Sequence, residues 1–203
     1  MHAEAWKWVE HSVRRTGDKA GKVVEIGSYD HNGTARSLFA PISSEYVGVD
    51  VIKGKGVDFV GNLTDKIVLE KFKNKYGLFS TVISTETLEH TPPMPILRAM
   101  FSLLDTELSV CRVILTCANT RRAPHGHDGF EVKEGEYYGG VDEKELYQMI
   151  LFCLKDLSIA WETHTIDIEI HWNNPTSDKD TYAYIEFVKK EVPIVVEELT
   201  EVE

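Results

Sequence analysis

Residues 22–50, KVVEIGSYDHNGTARSLFAPISSEYVGVD, contain the pattern that decides the fold. Apolar runs at 22–26 and 46–49 predict two short buried strands, each with an acidic residue at or next to its carboxyl end. Between them, Thr34 is placed to cap a helix that Pro41 would end. The stretch therefore predicts a strand, a turn, a helix and a second strand that lies parallel to the first.

The same alternation continues along the rest of the chain. Further strands are predicted at 57–60, 78–84 and 110–117, with a terminal hairpin at 166–172 and 181–188, and helices at 2–16, 66–76, around 95–104 and after Asp142. Strands that alternate with helices indicate a parallel sheet covered on both faces. The predicted fold is α/β, with a mostly parallel seven-stranded sheet, helices on both faces and a C-terminal antiparallel hairpin.

Composition excludes several functional classes. The chain has 203 residues, of which 42% are hydrophobic and 27% charged, as in an ordinary globular protein. Its 22 basic and 33 acidic residues give a net charge of −11, so a dedicated duplex-DNA binder is not expected. One domain is expected over residues 1–190, opening with a helix within 1–17 and followed by an acidic tail at 191–203.

The cysteines and the apolar runs indicate where the protein works. Cys111, Cys117 and Cys153 form no CxxC pair, and an odd number of cysteines fits reduced thiols better than a disulfide framework. No apolar run reaches the roughly 18 residues of a membrane span, and the first residues lack the apolar region of a secretion signal. We therefore expect a cytoplasmic protein that does not enter a membrane.

The loops after the first, second and fourth strands are the places to look for a ligand, because ligands of open parallel sheets lie at the carboxyl ends of the strands. Gly27 allows a sharp turn, and Asn32 and Gly33 tolerate a positive φ. A GxGxxG dinucleotide motif is absent, since Tyr29 and Asn32 occupy two of its glycine positions. Asp50 is placed to accept both hydroxyls of a ribose. Ribose without pyrophosphate suggests a nucleoside-like cofactor and disfavours the alternative, an NAD or nucleotide-sugar enzyme.

Three segments together, EIGS with NG in the first loop, YVGVD and ETLEH, resemble the class I S-adenosylmethionine-dependent methyltransferases, in particular the type 11-like branch. The resemblance covers residues 23–154 and implies a Rossmann-like fold. It also implies transfer of a methyl group from S-adenosyl-L-methionine to an oxygen or nitrogen of a small molecule or sugar. The cofactor residues that it implies are Glu25, Gly27, Ser28, Asn32 and Gly33 along the methionine part, Asp50 at the ribose, Val51, Asn62 and Leu63 at the adenine, and Ser84, Thr85 and Glu86 beneath the sulfonium. A methyltransferase-like interaction module without activity is a further alternative.

Histidines are the candidates for acid–base chemistry. A hydroxyl or amine acceptor loses a proton on methylation, and histidine is the usual base near neutral pH. His90 follows the fourth strand, and His125 and His127 follow the fifth, so all three are predicted as catalytic residues. The competing interpretation is that His125 and His127 only occupy an exposed loop rich in turn residues.

The ETLEH segment also raises the question of a metal ion. If it is helical, the spacing of Glu86, Glu89 and His90 places them on one face. This ExxEH pattern is similar to the metal-binding segment of the O-methyltransferases of ubiquinone biosynthesis and of the small-RNA 2′-O-methyltransferases. Because many relatives with such a segment use no metal, the sequence is interpreted as having no metal site.

Overall fold

The computed structural model describes residues 3–17, 19–31, 33–127, 129–159, 162–171 and 179–190. The acidic tail and most of the loop between the last two strands lie outside these ranges, so the predicted domain boundary stays a prediction. Within the described ranges, no helix has both the length and the apolar character needed to cross a bilayer.

Helices and strands alternate along the chain as predicted. In chain order the elements are α1 (Ala3–Thr16), β1 (Gly21–Ile26), α2 (Arg36–Phe39), β2 (Ser43–Asp50), β3 (Phe59–Val60), α3 (Lys66–Tyr76), β4 (Thr81–Thr85), α4 (Pro93–Ser102), β5 (Val110–Ala118), α5 (Glu143–Asp156), β6 (His164–His171) and β7 (Asp180–Lys189). Short 3₁₀ turns at Ala40–Ile42 and Leu88–His90 connect neighbouring elements.

The strands form one seven-stranded sheet in the order β3-β2-β1-β4-β5-β7-β6. The first five strands in this order are parallel, and β7 is antiparallel to both β5 and β6. From β1 the chain first adds strands on one side and then crosses to β4 on the other, so the strand order reverses between β1 and β4. The predicted fold is confirmed, and its ligand crevice is expected at this reversal.

Helices cover both faces because neighbouring strand residues point to opposite sides of the sheet. Val23 packs on the face of α1 and α2, together with Val9 and Phe39. Val24 packs on the other face with Phe72 and the apolar residues of α3, α4 and α5. Both layers are made of fully buried side chains, so the sheet is a rigid platform for the loops at its carboxyl edge.

Three local predictions are corrected. The helix after Thr34 has only four residues, because Pro41 interrupts it and a 3₁₀ turn follows. The third strand is reduced to Phe59–Val60 at the edge of the sheet. Asp142 precedes α5 but makes no side-chain cap, since its carboxylate accepts hydrogen bonds from the amide and hydroxyl of Thr120 instead.

Candidate active site

Asp50 holds together the loops that follow β1 and β2. One carboxylate oxygen accepts the amide of Tyr29 at 3.0 Å and the other accepts the amide of Ile52 at 2.9 Å. Gly27 begins the first loop with φ 78°, and a Cβ atom there would lie 2.0 Å from the Thr87 hydroxyl. The backbone therefore passes close to the segment after β4, which only glycine permits.

Glu25 does not line the cavity and faces the end of the first loop, next to the start of α2. Its fully buried carboxylate accepts hydrogen bonds from the Thr34 hydroxyl (2.8 Å), the Ala35 amide (2.8 Å) and the Tyr46 hydroxyl (2.9 Å). Burial raises the pKa of Glu25, although these hydrogen bonds act in the opposite direction. Its position is that of a group that fixes the start of α2, not of one that contacts a ligand in the crevice.

A cavity of 1990 Å³ opens at the carboxyl edge of the sheet. The loops after β1, β2 and β4 form one wall, and residues 122–127 and 129–134 form the opposite wall. Eight of the residues predicted from the sequence line it, namely Gly27, Gly33, Asp50, Thr85, Glu86, His90, His125 and His127. The cavity lies where the strand order reverses, which is the expected place for a ligand.

Six other predicted cofactor residues are described by the structure but do not line the cavity, namely Glu25, Ser28, Val51, Asn62, Leu63 and Ser84. Ser84 is buried between strands and donates its hydroxyl to a β1 carbonyl, while Leu63 belongs to the core. Val51 and Asn62 are exposed. Asn32 lies outside the described residues.

Glu86 lies at the centre of a charged network on the floor of the cavity. Its backbone has φ 52°, a left-handed conformation that is uncommon for a residue other than glycine. One carboxylate oxygen accepts the Thr116 hydroxyl at 2.9 Å, and the other pairs with Arg122 at 2.5 Å. Arg122 also pairs with the buried Asp180 at 3.0 Å. These bonds tie the fourth strand's loop to the fifth and seventh strands.

The three predicted catalytic histidines meet on the same side of the cavity. The ring of His90 lies 5.1 Å from that of His125 and 4.8 Å from that of His127, measured between centroids. Tyr138 packs edge-on against His90 and His125. Desolvation and the neighbouring histidines lower the pKa of His90 to about 4, so its imidazole is neutral at physiological pH.

Glu89 lies beneath the histidines and is fully buried. Neither of its carboxylate oxygens makes a hydrogen bond of normal geometry. Burial and the negative charge of Glu86 raise its pKa to about 8. The predicted arrangement of Glu86, Glu89 and His90 on one helical face is wrong, because the segment forms only a 3₁₀ turn and Glu86 is left-handed. Instead, Glu89, His90 and His125 bring one ligand atom each within 4.8 Å of one another.

Several cavity residues could not be assigned from the sequence. Tyr29 replaces an expected glycine, yet its ring lies across Gly54, where a Cβ atom would be 2.2 Å away. The loop therefore accommodates the aromatic side chain and places it at the cavity. Arg122 and the apolar Phe130 and Ile52 also line the cavity. Arg122 is visible in the sequence only as half of a basic pair, and its acidic partners are distant in the chain.

The strand order, with β7 inserted antiparallel between β5 and β6, and the cavity beside β1 and β4 define the fold of the class I S-adenosylmethionine-dependent methyltransferases. The fold implied by the sequence resemblance is confirmed, whereas the type 11-like branch stays a prediction. Neither a protein-family model nor a curated protein matches the sequence.

Solved structures share this fold at low sequence identity. MycE, a methyltransferase of mycinamycin biosynthesis in complex with Mg and SAH, is 19% identical with a TM-score of 0.52 over 91% of this chain. The chain spans about half the length of MycE, 51%. An S-adenosylmethionine-dependent methyltransferase from Mesorhizobium loti is 10% identical, with a TM-score of 0.55 over 91% of this chain and 98% of its own. The plantazolicin methyltransferase BpumL, in complex with a triazolic desmethylPZN analog and SAH, is 11% identical, with a TM-score of 0.60 over 92% of this chain and 85% of its own.

Proposed function

We propose that the protein is an S-adenosyl-L-methionine-dependent methyltransferase that acts on an oxygen or nitrogen of a small molecule or sugar. The observation that carries the proposal is the cavity at the strand-order reversal, into which Gly27 and Asp50 converge. The fold, and the presence of SAH in the similar structures of MycE and BpumL, support it. The small-molecule analog bound to BpumL supports an acceptor of similar chemical class.

The residues at this end of the cavity fit an adenosine with an amino-acid arm. Gly27 lines the cavity and, because it has no side chain, lets Thr87 pack directly against the backbone there. Each carboxylate oxygen of Asp50 accepts one amide, which leaves a lone pair on each for the two ribose hydroxyls. Tyr29 and Ile52 are half-exposed apolar surfaces next to Asp50, suited to contact a base. When bound, the cofactor supplies an electrophilic methyl group on a sulfonium.

The histidines at the other side would serve the acceptor. Methyl transfer forms a bond from the acceptor oxygen or nitrogen to carbon, breaks the bond from sulfur to that carbon, and releases a proton from the acceptor. With a pKa of about 4, His90 is a weak base. We therefore assign proton acceptance to His125 or His127, and the remaining task of the protein is to align the reactants and exclude water.

The same structure bears on the other expectations. All three cysteines are free and buried, which supports a reducing, cytoplasmic compartment. An NAD or nucleotide-sugar enzyme is disfavoured because the first loop carries Tyr29 where a pyrophosphate-binding loop needs glycine. An inactive interaction module would keep the cofactor cavity but lose the acceptor chemistry.

Calorimetric titration of the full chain with S-adenosylhomocysteine and, separately, with NAD tests the proposal. We expect binding of S-adenosylhomocysteine and none of NAD, and binding of NAD alone would overturn the assignment. Methyl transfer from labelled S-adenosylmethionine to a panel of hydroxyl- and amine-bearing small molecules then tests the activity. Cofactor binding without turnover on any acceptor would favour the inactive module.

A further inference from the structure

The buried carboxylate of Glu89 and the imidazoles of His90 and His125 converge beside the cavity. Neither carboxylate oxygen of the fully buried Glu89, nor the Nδ1 atom of His90, makes a hydrogen bond of normal geometry, although the backbone amides of Glu89 and Ala118 lie near the carboxylate. Buried polar groups are normally satisfied by a hydrogen-bond partner or an ion, so these atoms call for one. Glu89, His90 and His125 place their ligand atoms within 4.8 Å of one another. A ligand that accepts electron pairs from all three would satisfy them together.

The orientation of His125 supports the same interpretation. Its Nδ1 atom lies 3.2 Å from the carbonyl oxygen of Ala123, so Nδ1 carries the proton and Nε2 keeps its lone pair. Metal-binding histidines are held in this way, with the nitrogen that does not bind the metal donating to a carbonyl or carboxylate. His90 and His125 both line the cavity, whereas Glu89 lies behind them.

We propose that Glu89, His90 and His125 form a binding site for a divalent first-row transition metal ion. Two imidazoles and one carboxylate suit zinc or iron better than magnesium, which prefers an all-oxygen set. Typical bonds of about 2.0–2.2 Å require the three side chains to move together by roughly 1 Å. This proposal departs from the interpretation of the sequence, which assigned no metal site.

The ligand set differs from the one that the linear pattern suggests. Glu86 lies outside this group of three, because its carboxylate is held by the Thr116 hydroxyl and by the positive charge of Arg122. Arg122 is itself paired with Glu86 and Asp180, which limits its repulsion of a cation nearby. Three protein ligands leave a coordination position open toward the cavity. If the proposed function holds, an acceptor oxygen could occupy that position, and with His125 as a ligand proton acceptance falls to His127. Metal binding itself does not depend on methyl transfer.

The experiment uses the full chain after treatment with a chelator, titrated with Co²⁺ as a coloured substitute and then with Zn²⁺ in competition. We expect a single ion per chain, with visible absorption bands that Zn²⁺ removes. His125→Ala and Glu89→Gln should each weaken affinity by at least about tenfold, since even residues that only orient a ligand are worth about 10- to 100-fold. His127→Ala is the matched control, because this neighbouring histidine is outside the ligand set, and it should leave metal affinity unchanged.

Two results would overturn the proposal. One is metal affinity that is equal in the wild type, His125→Ala and Glu89→Gln, or absent in all of them. The other is binding of Mg²⁺ in preference to Zn²⁺. Circular dichroism checks that each variant folds, and if Glu89→Gln does not, the half-exposed His125 carries the test alone. S-adenosylhomocysteine affinity, measured on the same samples, separates the two proposals: retained cofactor binding without metal binding removes only the metal site.

Discussion

Replacing Asp50 with alanine tests the cofactor site most directly. Its two carboxylate oxygens each have one position left after accepting the amides of Tyr29 and Ile52. Two hydrogen bonds from ribose hydroxyls to a charged acceptor are worth about 1.5 kcal/mol each at the lower end. Their loss corresponds to about 3 kcal/mol, or a dissociation constant for S-adenosylhomocysteine raised by about 100-fold. Asp50→Asn keeps one acceptor oxygen, so its dissociation constant should lie between those of the wild type and Asp50→Ala.

Calorimetric titration with S-adenosylhomocysteine measures this effect. Asp65→Ala is the matched control, because Asp65 also accepts two backbone amides but caps α3 away from the cavity. Loss of that cap should lower the free energy of unfolding by about 1 kcal/mol and leave the dissociation constant unchanged. An Asp50→Ala protein that binds as tightly as the wild type would refute the ribose assignment.

Three further predictions concern the frame around the site. Arg122→Met removes the cation that pairs with Glu86 and should lower the free energy of unfolding by about 3 kcal/mol. Thermal unfolding should then show a melting temperature lower by something on the order of 10 °C. Gly27→Ala should weaken S-adenosylhomocysteine binding measured by calorimetry, because its Cβ would lie 2.0 Å from the Thr87 hydroxyl at φ 78°. Burial raises the pKa of Glu25 above its usual value of 4.5, so its contribution to stability is lost as pH rises through the folded-state pKa. Glu25→Gln cannot ionise, and in urea unfolding its stability relative to the wild type should increase from about pH 4.5 upward.

Each of these predictions has an outcome that contradicts it. Arg98→Met is the control for Arg122, because Arg98 pairs with Asp156 at 3.0 Å with both side chains nearly half exposed. Its loss should cost less than about 1 kcal/mol, and equal effects of the two substitutions would mean that burial is not decisive. Unchanged cofactor affinity in Gly27→Ala would show that the first loop can move aside. A wild type that gains stability over Glu25→Gln with rising pH would reverse the assigned pKa direction.

Local patterns predicted the elements well where both ends carry a signal. The helix over 66–76 was predicted with its observed bounds from the spacing of its apolar residues and from Gly77, and in the structure Asp65 caps its first turn. The sequence also indicates the side of the sheet to which Glu25 points. Residues two apart in a strand share a face, and Val23 packs on the face covered by α1 and α2. That signal was outweighed by the expectation that an acidic strand end contacts the ligand.

The composition of the site was less predictable, because its members come from distant parts of the chain. His125 reaches Glu89 and His90 only through the return of the chain over the cavity after β5. The pairing of Arg122 with Glu86 and Asp180 likewise joins residues at the ends of three strands, β5, β4 and β7. Neither set of contacts follows the period of a helix or a strand. The sequence pattern could therefore identify candidate residues but could not predict which of them lie together.

The two walls of the cavity are built differently, and this has a consequence for how the protein could acquire new substrates. The cofactor wall is fixed by strand ends, whereas residues 129–141, which follow Arg122 and His125 and supply part of the opposite wall, contain neither helix nor strand. Such a segment tolerates substitution and changes of length better than the sheet beneath it. Exchanging it between related proteins is therefore a practical route to altered acceptor preference that leaves the donor half untouched.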